Sequence, residues 1–251
     1  MTRRLVPVLL TSFVLGLAAC GSDDDSGSTV ASTATEAQTT ASTATEESTP
    51  TTAPEPTTTE EAPAGAGECK QVAAQKPLKR DSKKPTSQFS ASKTYVVTMK
   101  TSCGDIELTL DVKNHPITAT SFGTLVKDGF YDGLGVLRVA PGFVLQAGDP
   151  TASQSGGASY DVVEEPGTNA KYPKYTLAMA KSGADPVGSS SSQFFIMTGD
   201  GGLPPEYAIA GKVTKGQAVV DAIGAIPPAD GAPDGPPSQD VIIEKATLAE
   251  K

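Results

Sequence analysis

The chain has 251 residues with 29 acidic and 20 basic side chains, a formal net charge of −9 and a single histidine. Ten of the acids fall between residues 21 and 68, which leaves residues 69–251 at a net charge of about −1. That near-neutral remainder offers no electrostatic case for nucleic acid or a charged membrane surface, and one histidine with three cysteines fits a metal centre poorly.

The first element, residues 1–20, reads MTRRLVPVLLTSFVLGLAAC. A basic start, an apolar run too short to cross a bilayer comfortably and a small-residue end form the layout of an export signal. The ending LAAC before Gly21 resembles the bacterial lipobox, in which the cysteine is lipidated; an ordinary cleaved signal with an incidental cysteine is the alternative. Residues 21–68 are Thr, Ser, Ala, Glu and Pro with almost no larger apolar side chain. Such a tract cannot bury enough surface to offset the entropy of ordering, so it is expected to be a disordered acidic tether. As a flexible coil it would span about 40 Å, which suits a lipid anchor on Cys20. The expected location is therefore the extracytoplasmic face of the cell membrane.

Residues 69–92 are polar and basic (KPLKRDSKKPTSQ) and read as an extended lead-in with a solvated basic face. Cys69 and Cys103 form an even pair in an oxidising setting, so a disulfide is expected, with two free buried thiols as the alternative. The domain at 93–251 then begins with alternation. TYVVTMKTS and DIELTLDV read as paired strands around Cys103-Gly104, with Ile106, Leu108 and Leu110 on one face. In NHPITATSFGTLVKDG, Asn114 is expected to cap a helix, Pro116 sits in its first turn, and Ile117, Phe122, Leu125 and Val126 form its apolar stripe. GVLRVA, FVLQAG, KYTLAMA, SQFFIMT, YAIAGKV and DVIIEKATL are further strand candidates, and KGQAVVDAIGA a second helix. About eight short strands and two helices predict a mainly β fold, a closed eight-stranded antiparallel β-barrel capped by two α-helices.

The chemistry is narrowed by exclusion. His115 at a helix start leaves no Ser-His arrangement, and no G-x-S-x-G elbow is present. Glu164, Glu165 and Asp149 read as solvated loop acids rather than a glycosidase pair. The apolar strands hold Arg138, Gln146 and Gln193 among Phe143, Met179, Phe194 and Phe195. Such a set suits chemistry without proton transfer. Rotation about an X-Pro bond meets a barrier of about 18–20 kcal/mol; an apolar socket and a fixed donor aimed at the prolyl nitrogen would lower it.

LRVAPGFVLQAGDP, SGGASY, LAMAKSG and SSQFFIMTGDGGLPPEYAIAGKV, in that order, closely resemble the cyclophilin family of peptidyl-prolyl cis-trans isomerases, and most of all its exported, lipid-anchored bacterial branch. The resemblance runs from about Tyr95 to Leu248. It implies a catalytic role for Arg138, with Gln146 binding the substrate backbone. It implies a proline pocket and groove built from Phe143, Val144, Met179, Ala180, Gln193, Phe195, Leu203 and Tyr207. The substrates implied are X-Pro segments of exported proteins, with no cofactor and a monomeric chain. The missing partner of Arg138 is then the substrate amide. Departures are Val136-Leu137 where Phe-His is frequent, Tyr207 for a frequent histidine, Gly202 near a frequent tryptophan, Lys181 for asparagine and a longer loop GADPVGSSSSQ. The alternative function is a proline-peptide binding module or chaperone with weak or no isomerase activity, motivated by Leu137. An envelope adhesin rests on the tether alone.

Overall fold

The computed structural model describes residues 68–251; the leader with Cys20, and all of the tether but Glu68, lie outside them. Alternation writes the first hairpin. β1 (Tyr95–Thr101) and β2 (Gly104–Leu110) pair antiparallel with Val97 opposite Leu108 and Met99 opposite Ile106. Their shared face is buried, as the period of two requires. The turn between them carries Cys103, which is disulfide-bonded to Cys69.

Helix α1 (Pro116–Lys127) lays Phe122, Leu125 and Val126 on the core, while Ile117 lies at its edge, 36% exposed. Asn114 does not cap it. Asp111 draws the Asn114 amide away, at 2.9 Å to both carboxylate oxygens. The helix N-terminus is instead closed by Glu164, whose carboxylate accepts from the Ile117 and Thr118 N–H groups at 3.1 and 2.7 Å. A full negative charge at the positive end of the helix is the stronger solution. Glu164 is thus a capping group rather than a merely solvated acid.

The chain continues through β3 (Val136–Ala140), β4 (Val144–Ala147), β5 (Val162–Val163), β6 (Thr176–Met179), β7 (Ser189–Ser190), β8 (Phe194–Met197) and β9 (Ile209–Lys215). Helix α2 (Gln217–Gly224), a 3-10 turn (Ala229–Gly231) and β10 (Ile243–Glu250) complete it. Eight strands form one curled sheet in the order β10-β1-β2-β9-β6-β8-β4-β3; β5 and β7 pair separately as a two-stranded ribbon. The main core fills the inside of the curl. There Phe122, Tyr131 and Phe194 meet at centroid distances of 5.1–5.5 Å, and α2 contributes Val219, Val220 and Ile223.

The expected closed barrel is not formed, because β3 and β10 share no ladder. Their first residues and the chain just before them make the seam: a bridge between Gly135 and Ile242, with Val136 N–H donating to Val241 C=O at 2.9 Å and Ile243 N–H to Leu134 C=O at 2.8 Å. The free edge of β3 is taken by the loop after α2, where Val139 and Gly235 exchange backbone hydrogen bonds of 2.8 and 3.1 Å. An edge already paired cannot accept β10.

Candidate active site

The β3–β4 hairpin turns on Pro141-Gly142. Phe143 N–H donates to Ala140 C=O at 2.9 Å and Gly142 has φ +73°, the proline-glycine arrangement of a type II turn. The register this turn sets places Arg138 opposite Gln146. Gln146 lies opposite Phe195, and Phe195 opposite Ala178. Four side chains therefore form one row across β3, β4, β8 and β6, on the sheet face turned away from the main core. Around Phe195 and Ala178 a second apolar cluster gathers Val144, Tyr172 and Met197, with Phe143, Ala180, Leu203 and Tyr207 packed against it.

A cavity of about 140 Å³ opens over this row, lined by Arg138, Phe143, Val144, Gln146, Ala180, Lys181, Phe195, Leu203 and Tyr207. Most residues that the sequence singled out meet here. Gln193 lines a larger, polar cavity of about 540 Å³ that shares Gln146, Ala180 and Lys181 with the first. Met179 lines neither. Strand parity explains this: Ala178 and Ala180 face the groove, whereas Met179, opposite Phe194 and 1% exposed, points into the main core.

Polar contacts fix the row. Arg138 Nη1 donates to Gln146 Oε1 at 3.0 Å, and Gln146 Nε2 to Gln193 Oε1 at 2.9 Å. Gln193 Nε2 donates in turn to the carbonyls of Gln154 and Gly156 at 3.0 and 2.8 Å. Those carbonyls belong to a loop wound around Asp149, which is fully buried rather than solvated. Its carboxylate accepts from Thr151 N–H and Oγ1 at 2.6 and 2.7 Å and from the Ser153 and Gly156 N–H groups at 3.2 and 3.1 Å. Burial pushes the Asp149 carboxyl up, but these hydrogen bonds more than offset it and hold the group below the usual carboxylate range.

Arg138 does not lack a partner on the protein, contrary to expectation. Asp234 binds it bidentately, Nε to Oδ1 at 2.7 Å and Nη2 to Oδ2 at 2.6 Å. The guanidinium holds the Asp234 carboxyl below its ordinary range. The Val139–Gly235 backbone pair puts Asp234 there, 96 residues along the chain, so neither spacing nor periodicity could find it. The acid inside the turn-rich GAPDGPP was the only signal.

The apolar wall is also buttressed by Tyr172 and Gly201, which the sequence reading passed over. Tyr207 meets Phe195 edge to face at 5.4 Å. Tyr172 holds the Tyr207 backbone from both sides, its hydroxyl donating to Tyr207 C=O at 2.8 Å and accepting from Tyr207 N–H at 3.1 Å. Gly201 makes room for Phe143, since a Cβ there would stand 2.6 Å from the ring. The Lys181 side chain, 6% exposed, donates to the carbonyls of Ser182 and Asp185 at 3.2 and 3.3 Å and pairs with Glu206 at 3.5 Å.

The family model described as cyclophilin type peptidyl-prolyl cis-trans isomerase/CLD matches residues 96–248. A Mycobacterium leprae protein named "Probable peptidyl-prolyl cis-trans isomerase B" is 36% identical over 70% of this chain and 63% of its own length. Its Mycobacterium tuberculosis counterpart is 34% identical over 70% of this chain and 60% of its own. The chain therefore spans under two thirds of those two relatives. Peptidyl-prolyl cis-trans isomerase A of Dickeya dadantii is 32% identical over 65% of this chain and 89% of its own length. Among solved structures, a cyclophilin type isomerase from Cryptosporidium parvum aligns with TM-score 0.56 and 27% identity, covering 63% of this chain and 99% of that one. The same protein in the presence of the dipeptide Ala-Pro aligns with TM-score 0.55.

Proposed function

We infer the function from one premise: the chain belongs to the cyclophilin-type peptidyl-prolyl cis-trans isomerase family. It is itself a peptidyl-prolyl cis-trans isomerase, acting on X-Pro segments of exported proteins as they fold. The observation that carries this reading is the row Arg138–Gln146–Phe195 beneath the small cavity. Phe143, Leu203 and Tyr207 give the pyrrolidine ring an apolar socket. The neighbouring cavity leaves room for the flanking peptide, and the Ala-Pro dipeptide present with the Cryptosporidium parvum relative fits such a site.

The mechanism follows from what the amide loses as it twists. Planarity comes from delocalisation of the nitrogen lone pair, and at the top of the barrier that pair is localised and basic. A donor fixed where the pair emerges binds the twisted state better than either planar one. Arg138 meets this need and cannot lose its charge. Asp234 and Gln146 together engage three of its five N–H groups. One N–H on each terminal nitrogen stays available, so the ion pair orients the guanidinium without exhausting it. Replacing Arg138 by Ala should lower kcat/KM for an Ala-Pro or Leu-Pro peptide on the order of 10²-fold. A wild-type chain that leaves the peptide at its uncatalysed rate sinks the reading. Contacts to a bound X-Pro peptide without faster exchange between its isomers would make the chain a binding module instead.

The chain is exported and held at the extracytoplasmic face of the membrane by lipid on Cys20, with residues 21–68 as its tether. Support for this lies in the leader and LAAC; among the described residues no helix is long and apolar enough to cross a membrane. Cells fed labelled palmitate should label the chain and lose that label on Cys20→Ser. A wild-type chain that takes up no label excludes the anchor.

A further inference from the structure

Residues 69–92 precede the span that the family model matches, yet they touch the hairpin that carries Arg138 and Gln146. Over the first part of this strap every third residue turns inward: Cys69, Val72, Gln75 and Leu78 are half-buried while those between are exposed. Three residues per turn is the repeat of an extended polyproline-like chain, which presents one edge to its support. Three anchors hold it: the disulfide to Cys103, Leu78 packed on the main core, and Arg80 donating to the Gly129 and Asp132 carbonyls.

Between these anchors lies Gln75, whose contacts concern the open end of the β3–β4 hairpin. Its Oε1 accepts from Gly135 N–H at 2.6 Å, just before β3. Its Nε2 donates to the carbonyls of Asp149 and Pro150 at 2.8 and 3.1 Å, just after β4. Leu78 N–H adds a bond to Pro150 C=O at 2.7 Å. One side-chain amide therefore joins the two strand ends three residues from Arg138 and three from Gln146. It also grips the backbone of Asp149, the residue around which the Gln193-holding loop is wound.

We propose that Gln75 is a positioning residue: the strap clamps the base of the hairpin and fixes where Arg138 stands relative to the proline pocket. Geometry of this kind is what a fixed donor needs, since a group misplaced by about 1 Å can lose most of its effect. The inference rests on the isomerase reading for its kinetic consequence and on the contacts alone for its structural one.

The experiment uses the full chain with 15N-labelled arginine. Only four arginines are present, so the Arg138 Nε–H signal is identified by its loss in Arg138→Ala. Gln75→Ala should shift and broaden that signal and lower kcat three- to tenfold with KM little changed. Arg80→Ala, which removes a strap anchor remote from the hairpin, should leave both as in wild type. An unmoved Arg138 signal in Gln75→Ala overturns the inference, whether or not the chain is active. Equal losses of kcat in the two variants also overturn it, because the strap would then act through general stability. An inactive wild type with a shifted Arg138 signal in Gln75→Ala upholds the clamp and removes the isomerase reading instead.

Discussion

An arginine on an apolar strand is tolerable only with partners, and the partner found decides how Arg138 behaves. The Arg138 and Asp234 side chains are 28% and 42% exposed. Water screens such a pair, so its net contribution to stability is on the order of 1 kcal/mol. Its larger effect is orientation: a planar fork held on two edges cannot rotate away from the pocket. Asp234→Asn keeps the shape and one acceptor but removes the charge, so kcat should fall roughly three- to tenfold while KM stays near wild type. The pH dependence has a definite sign. Arg138 lowers the folded-state pKa of Asp234 below its ordinary 3.8. The pairing is therefore complete above the ordinary carboxyl range and is lost as pH falls through the depressed value. Wild-type kcat measured by NMR exchange should be level from about pH 8 to 5 and decline only below about pH 4. Asp234→Asn should lack that acid limb; identical profiles for the two proteins would rule out the orienting role.

At the scale of elements, what was legible followed local rules. Alternation marks β1 and β2, the apolar stripe of α1 and α2 marks their buried faces, and Pro141-Gly142 marks the turn that brings Arg138 beside Gln146. What was not legible depends on partners far along the chain. Glu164 caps α1 from 46 residues away, and Asp111 takes the amide of Asn114, the cap that proximity suggested. Val162–Val163 and Ser189–Ser190 are too short and too mixed to announce a ribbon, yet they pair. Met179 shows the same limit within a strand. LAMA gives the alternation, but only the pairing of Met179 with Phe194 says which parity faces the groove. The incomplete closure has this origin too, since Val139 and Gly235 pair where β10 was expected to lie.

For the whole molecule, the question is how a strap outside the family's span stays on the domain. Cys69 and Cys103 are 34 residues apart, and a cross-link over such a loop removes about 3–4 kcal/mol of denatured-state entropy. For a folded unit of this size each kcal/mol corresponds to roughly 2–4 °C in Tm. The double variant Cys69→Ser, Cys103→Ser should therefore melt on the order of 10 °C lower than wild type in a calorimeter. Its activity at 25 °C should be nearly unaffected. Two attachments remain at the active hairpin without the disulfide, Leu78 N–H on Pro150 C=O and Gln75 across the strand ends, and Arg80 still ties the strap to the two carbonyls of Gly129 and Asp132 away from the hairpin. The bond lies at the strap's N-terminal end, ahead of those contacts, which hold without it, so removing it loosens the unfolded chain far more than it loosens the site. Stability and rate should thus separate. A double variant that keeps its Tm would show that the unfolded chain gains little from the lost link. One that keeps its Tm near wild type yet loses kcat would place the clamp at the cysteine end of the strap rather than at Gln75.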